Sequence, residues 1–251
     1  MSASIQVGDL FGIGVRFYYA VMADSNYPKR REFEKMSRDE LARHQLAELN
    51  RMLETILPSN GFYAQKLASV KLPLKSLDQL GDLPFTTKSE LVQADRGELP
   101  SNQSFPPEQF VHWHRTSGTS GHPIQIMDTA DDWRAWIDVW QYVLDSANIT
   151  PSDRALMAFS FGPFIGFWSA YDALAARGTL VIPAGGLSTA ARIDLAMDSH
   201  ATVLCCTPTY ALRMQEVAEE MGADLTKNSI QKIIVAGEPG GSLPSVRDRI
   251  E

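Results

Sequence analysis

The chain has 251 residues, 44% hydrophobic and 21% charged, values ordinary for a folded globular protein. Its 23 basic and 30 acidic side chains leave a net charge of −7, which argues against a nucleic-acid partner held on a basic surface. Cys205 and Cys206, adjacent in sequence, cannot make a secreted disulfide framework.

The early apolar run at 10–22 is interrupted by Gly12, Gly14 and Arg16 and falls short of the ~20 residues that span a membrane. No basic segment precedes it and no cleavage pattern follows it, so a cytoplasmic protein without a membrane partner is expected. The mixed charges from Lys29 to Lys35 read as a solvated face. Ser37 and Glu40 form a capping-box pair opening an amphipathic helix at 37–57, with Leu41, Leu49, Met52, Leu53 and Ile56 on its inner side. Pro58 to Gly61 stop it, and Thr87 with Glu90 opens a second, short helix. Residues 1–109 are therefore expected to form a helical, loop-rich section.

From Phe110 the pattern changes, and 110–251 is expected to be an α/β region. A strand is expected at 110–115 and another at 124–127, followed by a helix capped by Thr129 and Asp132. Its Trp133, Trp136, Ile137, Trp140, Val143 and Leu144 form an apolar stripe assigned to core packing. Strands at 155–160, 179–183, 201–206 and 230–236 then alternate with helices at 163–177, 188–199 and 208–221. Strand–helix alternation with short connections implies βαβ units and a mainly parallel sheet. Ligands of such sheets sit beyond the carboxyl ends of the strands. That points to the loops at 161–163, 207–208 and 237–241, and the final residues look like the start of another helix.

The strongest local signal is Thr116-Ser-Gly-Thr-Ser-Gly-His-Pro123, between two expected strands. Backbone N–H and hydroxyl groups gathered on one concavity can hold phosphate oxygens, although a plain Ser/Gly hairpin turn stands level with that reading on composition alone. The Walker A pattern fails because, counted from Gly118 through His122, Pro123 stands where the second glycine is required. No dinucleotide-binding glycine fingerprint follows a strand, and the serine-hydrolase elbow is absent around Ser120. His112 and His114, two apart on a strand, share a face that could suit a metal; with no third ligand at standard spacing a structural role is preferred. Cys205 and Cys206 are expected to be buried and inert.

The segment from Arg115 to Pro123 resembles the phosphate loop of the adenylate-forming acyl-CoA synthetase superfamily. Leu83-Pro-Phe-Thr-Thr-Lys-Ser-Glu-Leu91 before it, and Thr207-Pro-Thr-Tyr-Ala-Leu212 and Ala236-Gly-Glu-Pro-Gly240 after it, are similar in order to the phenylacetate-CoA ligase-like branch. The resemblance covers residues 30–251. It implies that the chain is the N-terminal portion of a large adenylate-forming domain. The implied reaction is attack of a carboxylate on Mg2+-bound ATP, giving an acyl-adenylate, followed by transfer of the acyl group to coenzyme A. Thr116, Ser117, Gly118, Thr119, Ser120 and Gly121 would then hold the ATP phosphates, and Gly237, Glu238 and Pro239 would line the adenine pocket. Phe161, Phe164 and Tyr210 would face the acyl group, with Gly185 and Gly186 on the pocket floor. Such an aromatic wall suits an aryl or arylacetic acid, although core packing stands level with that role for Phe164 and Phe167. His122 replaces the lysine that many members carry after the loop.

The resemblance also implies that the metal carboxylate, the hinge and the catalytic lysine lie beyond Glu251. The chain is therefore expected to be truncated and not to form acyl-CoA by itself. The alternative is a non-catalytic truncated or split-gene nucleotide-binding module, partnered by a second copy or by a chain that completes the C-terminal part. An unrelated doubly wound binding domain is the third reading.

Overall fold

The computed structural model describes residues 26–92, 100–116 and 123–250. The first helix, α1 (Tyr27–Glu34), has Pro28 in its first turn, where a missing N–H costs nothing. It was not expected from sequence; Lys29, Glu32, Glu34 and Lys35 are exposed, as the solvated-face reading of 29–35 requires, and Arg30 departs from it. Arg30 is buried, its Nε donating to Asp145 Oδ2 at 2.7 Å and its Nη2 to Oδ1 at 3.0 Å. The reason lies 115 residues away, where the far end of a later helix offers an acceptor.

Helix α2 (Arg38–Ile56) starts as its capping box dictates. Ser37 Oγ accepts the Glu40 N–H, and the Glu40 carboxylate accepts the Ser37 N–H at 2.8 Å. Its buried face differs from the expected one. Leu53 packs with Leu67 and Leu74, flanked by Leu46, Leu49 and Leu57, whereas Met52 is half exposed. At 100° per residue, the line through 46, 49, 53 and 57 defines the stripe, and Met52 lies off it. Two short helices follow, α3 (Gly61–Lys66) and α4 (Lys88–Leu91), the latter under the expected Thr87–Glu90 box.

Strands β1 (Phe110–Arg115) and β2 (Gln125–Thr129) form an antiparallel pair that sets His112 opposite Asp128 and His114 opposite Ile126. Helix α5 (Ala130–Ser146) follows directly, with the Thr129–Asp132 capping box formed. Its stripe is narrower than expected: Trp133 and Leu144 are buried and Ile137 and Trp140 pack on the core, but Trp136 and Val143 are exposed. The helix meets its neighbour along one line of residues, and positions off that line face outward.

The four-stranded sheet comprises β3 (Arg154–Met157), β4 (Leu180–Pro183), β5 (Val203–Cys206) and β6 (Lys232–Val235). All strands are parallel, in the order β4-β3-β5-β6. Helices α6 (Ile165–Ala176), α7 (Thr189–Asp198) and α8 (Pro208–Met221) make the crossovers, and α9 (Pro244–Ile250) closes the described chain. One face of the sheet packs on α5 and α6 through Ala155, Met157, Ala173 and Leu174. The other packs on α7 and α8 through Leu156, Leu204, Ile193 and Met214. Both central strands are buried on both faces, which is why they read as unbroken apolar runs. The mixed α/β architecture with a mainly parallel sheet is the one expected. Among the described residues no helix is long and apolar enough to cross a membrane.

Candidate functional site

Because the sheet is parallel, the ends of β3, β4, β5 and β6 at residues 157, 183, 206 and 235 open on one edge. Phe161 and Gly185 meet there: a Cβ added to Gly185 would lie 2.6 Å from Phe161 Cδ2. The Phe161 ring is also flanked by Trp168 at 5.0 Å and Tyr171 at 6.0 Å between centroids. Gly186 adopts φ +77° with open space around it, a backbone that glycine takes without strain. Phe164 is 38% exposed and packs edge-on against Phe167, while Phe167 stacks on Phe159 at 4.3 Å. Of these two rings, Phe167 is committed to the core and Phe164 stays at the rim.

Tyr210 sits in the first turn of α8, its hydroxyl donating to Thr189 Oγ1 at 3.1 Å on α7. The segment of Gly237, Glu238 and Pro239 lies against the same helix start. Gly237 has φ +94° and faces the Thr207 methyl, and Glu238 accepts the Thr209 N–H at 2.8 Å as well as its hydroxyl. The Thr209 hydrogen bonds hold the Glu238 carboxyl below its ordinary pKa, and a negative group at a helix N-terminus is well placed electrostatically.

Ser117, Gly118, Thr119, Ser120, Gly121 and His122 lie outside the described residues. The base of their loop is defined by Thr116, whose N–H donates to Ile124 O and whose Oγ1 accepts the Ile124 N–H, both at 3.0 Å. The Arg115 N–H donates to Pro163 O at 2.9 Å. That bond ties the start of the loop to the aromatic segment after β3, across a gap no sequence pattern signals.

Behind this loop lies a buried polar cluster that sequence reasoning half found. His114 and Asp128 are 4% and 6% exposed, with His114 Nε2 3.5 Å from Asp128 Oδ2. Neither of those atoms, nor His114 Nδ1, nor His112 Nε2, makes a hydrogen bond among the described residues. Both imidazoles lie against Trp133, at 3.8 Å for His112 and 5.3 Å for His114. Burial pushes the His114 pKa down against the pull of Asp128. It pushes Asp128 up against the pull of His114 and a Trp136 hydrogen bond, with Asp132 adding to the rise. A carboxyl with a raised folded pKa gives its stabilisation below 3.8, and that contribution is lost as pH rises through the folded value. A histidine with a depressed pKa gives its contribution above 6.5, and it is lost as pH falls. Near neutrality the burial of Asp128 therefore opposes folding. Asp128→Asn is expected to stabilise the protein by about 1 kcal/mol at pH 7 and by much less in acid. Urea midpoints across that range check this, and a midpoint gain independent of pH would count against it.

Among the described residues no group of three His, Cys, Asp or Glu side chains is placed to hold a metal, which includes the two histidines. Cys205 and Cys206 are buried, with burial pushing both thiols up to about 12, as expected of inert core residues.

No protein-family model matches the sequence. The chain is 28% identical over 210 residues to the phenylacetate-coenzyme A ligase of Pseudomonas putida, covering 82% of this chain and 47% of that protein. The enzyme of the same name from Aromatoleum evansii is 29% identical over 210 residues, with the same coverage. Among solved structures, 2-hydroxyisobutyryl-CoA ligase in complex with 2-HIB-AMP and CoA in the thioesterification state superposes with a TM-score of 0.82 at 26% identity. The match covers 96% of this chain and 53% of that one. The open conformation of the same enzyme gives 0.81, also at 26%, over 94% and 56%. The chain is thus similar to the N-terminal half of adenylate-forming CoA ligases. Its curated relatives are of the phenylacetate-CoA ligase branch, and the chain spans about half their length. Phe161, Gly185, Tyr210 and Gly237 all follow the carboxyl ends of the parallel strands, the edge at which open α/β sheets bind ligands.

Proposed function

We propose that this chain carries the ATP- and acid-binding part of an AMP-forming ligase that activates an aryl or arylacetic acid and transfers it to coenzyme A. The observation that carries the reading is the Arg115–Pro163 hydrogen bond. It ties the strand residue before Thr116 to the segment that carries Phe161 and Phe164, so that in this reading a triphosphate and a carboxylic acid would meet at one strand edge. In this reading Thr116, Ser117, Gly118, Thr119, Ser120 and Gly121 donate to the phosphates, and Gly237, Glu238 and Pro239 border the base. Phe161, Phe164 and Tyr210 line the acid site over Gly185 and Gly186. Positioning the two reactants is itself a large part of such catalysis. Mg2+, when bound, would offset phosphate charge. Coenzyme A would accept the acyl group, and the remaining catalytic groups would come from polypeptide corresponding to the other half of the relatives.

A small hydroxy acid is the competing substrate class, favoured by the likeness to 2-hydroxyisobutyryl-CoA ligase. Three clustered aromatic rings, Phe161, Trp168 and Tyr171, favour the aryl class instead.

Calorimetric titration tests the reading. ATP is expected to bind, and Thr119→Ala with Ser120→Ala is expected to weaken it about tenfold, the value of one to two hydrogen bonds. Phenylacetate is expected to bind more tightly than 2-hydroxyisobutyrate. Unchanged ATP affinity in the double variant would sink the phosphate-loop assignment, and the reverse acid preference would move the substrate class.

A further inference from the structure

Arg192 lies on α7 yet is only 7% exposed, with its guanidinium turned into the ends of the sheet. Its Nε donates to Ala184 O at 2.8 Å, its Nη1 to Ala158 O at 3.3 Å and its Nη2 to Phe159 O at 3.4 Å. Its central carbon also lies 5.0 Å from the centre of the Tyr210 ring. A planar fork with five donors in fixed directions can bind three separated carbonyls at once and lie against an aromatic ring.

Those contacts are not scattered. Ala158 and Phe159 lead from β3 into Phe161, Ala184 leads from β4 into Gly185 and Gly186, and Tyr210 opens α8. One buried cation thus holds the three chain segments that line the gap proposed for the acid. Phe161 and Gly185 already touch so closely that no Cβ fits between them. Small relative shifts of the two strand ends therefore change the width of the gap directly. We propose that Arg192 is the positioning residue that sets the acid specificity of this site, by fixing Phe161, Gly185 and Tyr210 relative to one another. This rests on the aryl-acid reading of the site, and it assigns Arg192 no contact with the acid or with ATP.

The test compares wild type, Arg192→Lys and Arg192→Met by calorimetry, with phenylacetate and ATP titrated separately. Lysine keeps the charge beside Tyr210 but cannot reach three carbonyls, so its acid affinity is expected to fall by several-fold. Methionine is expected to lose at least about tenfold, the scale of an ångström-level misplacement. ATP affinity is expected to stay within about twofold in both, because the fork bonds the carbonyls at the ends of β3 and β4. Circular dichroism identifies which variants are folded. Acid affinity unchanged in a folded variant overturns the role, and so does a parallel loss of ATP affinity, which marks general disruption. If neither variant folds, Arg192 serves stability alone and the proposal is overturned. A wild-type chain that binds ATP but no aryl acid overturns the aryl-acid reading and this role with it.

Discussion

Asp145→Ala is expected to cost about 3–5 kcal/mol of stability, the scale of breaking a buried ion pair on one side. The Asp145 side chain is fully buried and accepts from Arg30 at 2.7 and 3.0 Å and from Arg177 at 2.7 Å, with Arg31 at 3.4 Å. Arg177 is held further by Gln141 Oε1 at 2.8 Å. Alanine would remove a carboxylate that joins the buried guanidinium groups of α1 and of the end of α6. Burial alone would raise the Asp145 pKa, but the hydrogen bonds from Arg30 and Arg177 outweigh it and hold it below 3.8. The contribution is therefore present above that value and is lost as pH falls through the folded pKa. Urea unfolding of wild type and variant should show a wide gap at neutral pH that narrows in strong acid. A gap under about 1 kcal/mol at pH 7, the scale of an exposed pair, would refute the assignment of α1 as a docked element.

That same contact explains why part of the fold was not legible in the sequence. Helix α8 was readable to the residue because its signals are local: Thr207 caps the start, and Gly222 ends it in the left-handed conformation at φ +70°. The strands of the parallel sheet were placed correctly but drawn too long, whereas β1 has its expected bounds. β3 was expected to run to Ser160 and ends at Met157, since a ladder lasts only while its neighbours stay alongside. Ala158 keeps one bond to Cys205 O before the chain turns into the aromatic loop. Arg30 looked like one charge among many because its partner lies 115 residues away.

The site shows the same division. Phe161, Tyr210, Gly185 and Gly237 were picked out by motif order, and the parallel sheet places all four on one edge. Asp128 was missed although counting back across the hairpin from the loop sets it opposite His112, a register that alternation alone would have supplied. Arg192 carried no such signal. On a helix read only for its apolar stripe, an arginine counts as surface, and its burial follows from carbonyls presented just past the ends of β3 and β4, 34 and 8 residues away in the chain.

Two adjacent glycines in the floor of the site separate packing from backbone strain. Gly185→Ala would place a Cβ 2.6 Å from Phe161 Cδ2, with Phe159 O at 3.3 Å and Phe161 N at 3.4 Å behind it. The backbone atoms block retreat, so the ring must move toward Trp168 and Tyr171. Overpacking of this kind costs about 1–3 kcal/mol. Gly186→Ala meets nothing within 4 Å, and its cost arises only from φ +77°, about 1–2 kcal/mol for a residue with a Cβ. The two variants should thus both lose stability but differ at the site. Gly185→Ala is expected to shift the emission of Trp168, whose ring lies 5.0 Å from Phe161, and to weaken phenylacetate more than ATP. Gly186→Ala is expected to leave that emission unchanged. Trp168→Phe in each background assigns the signal to that indole. If both glycine variants moved the emission equally, contact with Phe161 would not be what Gly185 provides. If neither did, the Phe161 ring would have freedom that the flanking Trp168 and Tyr171 are here argued to deny it.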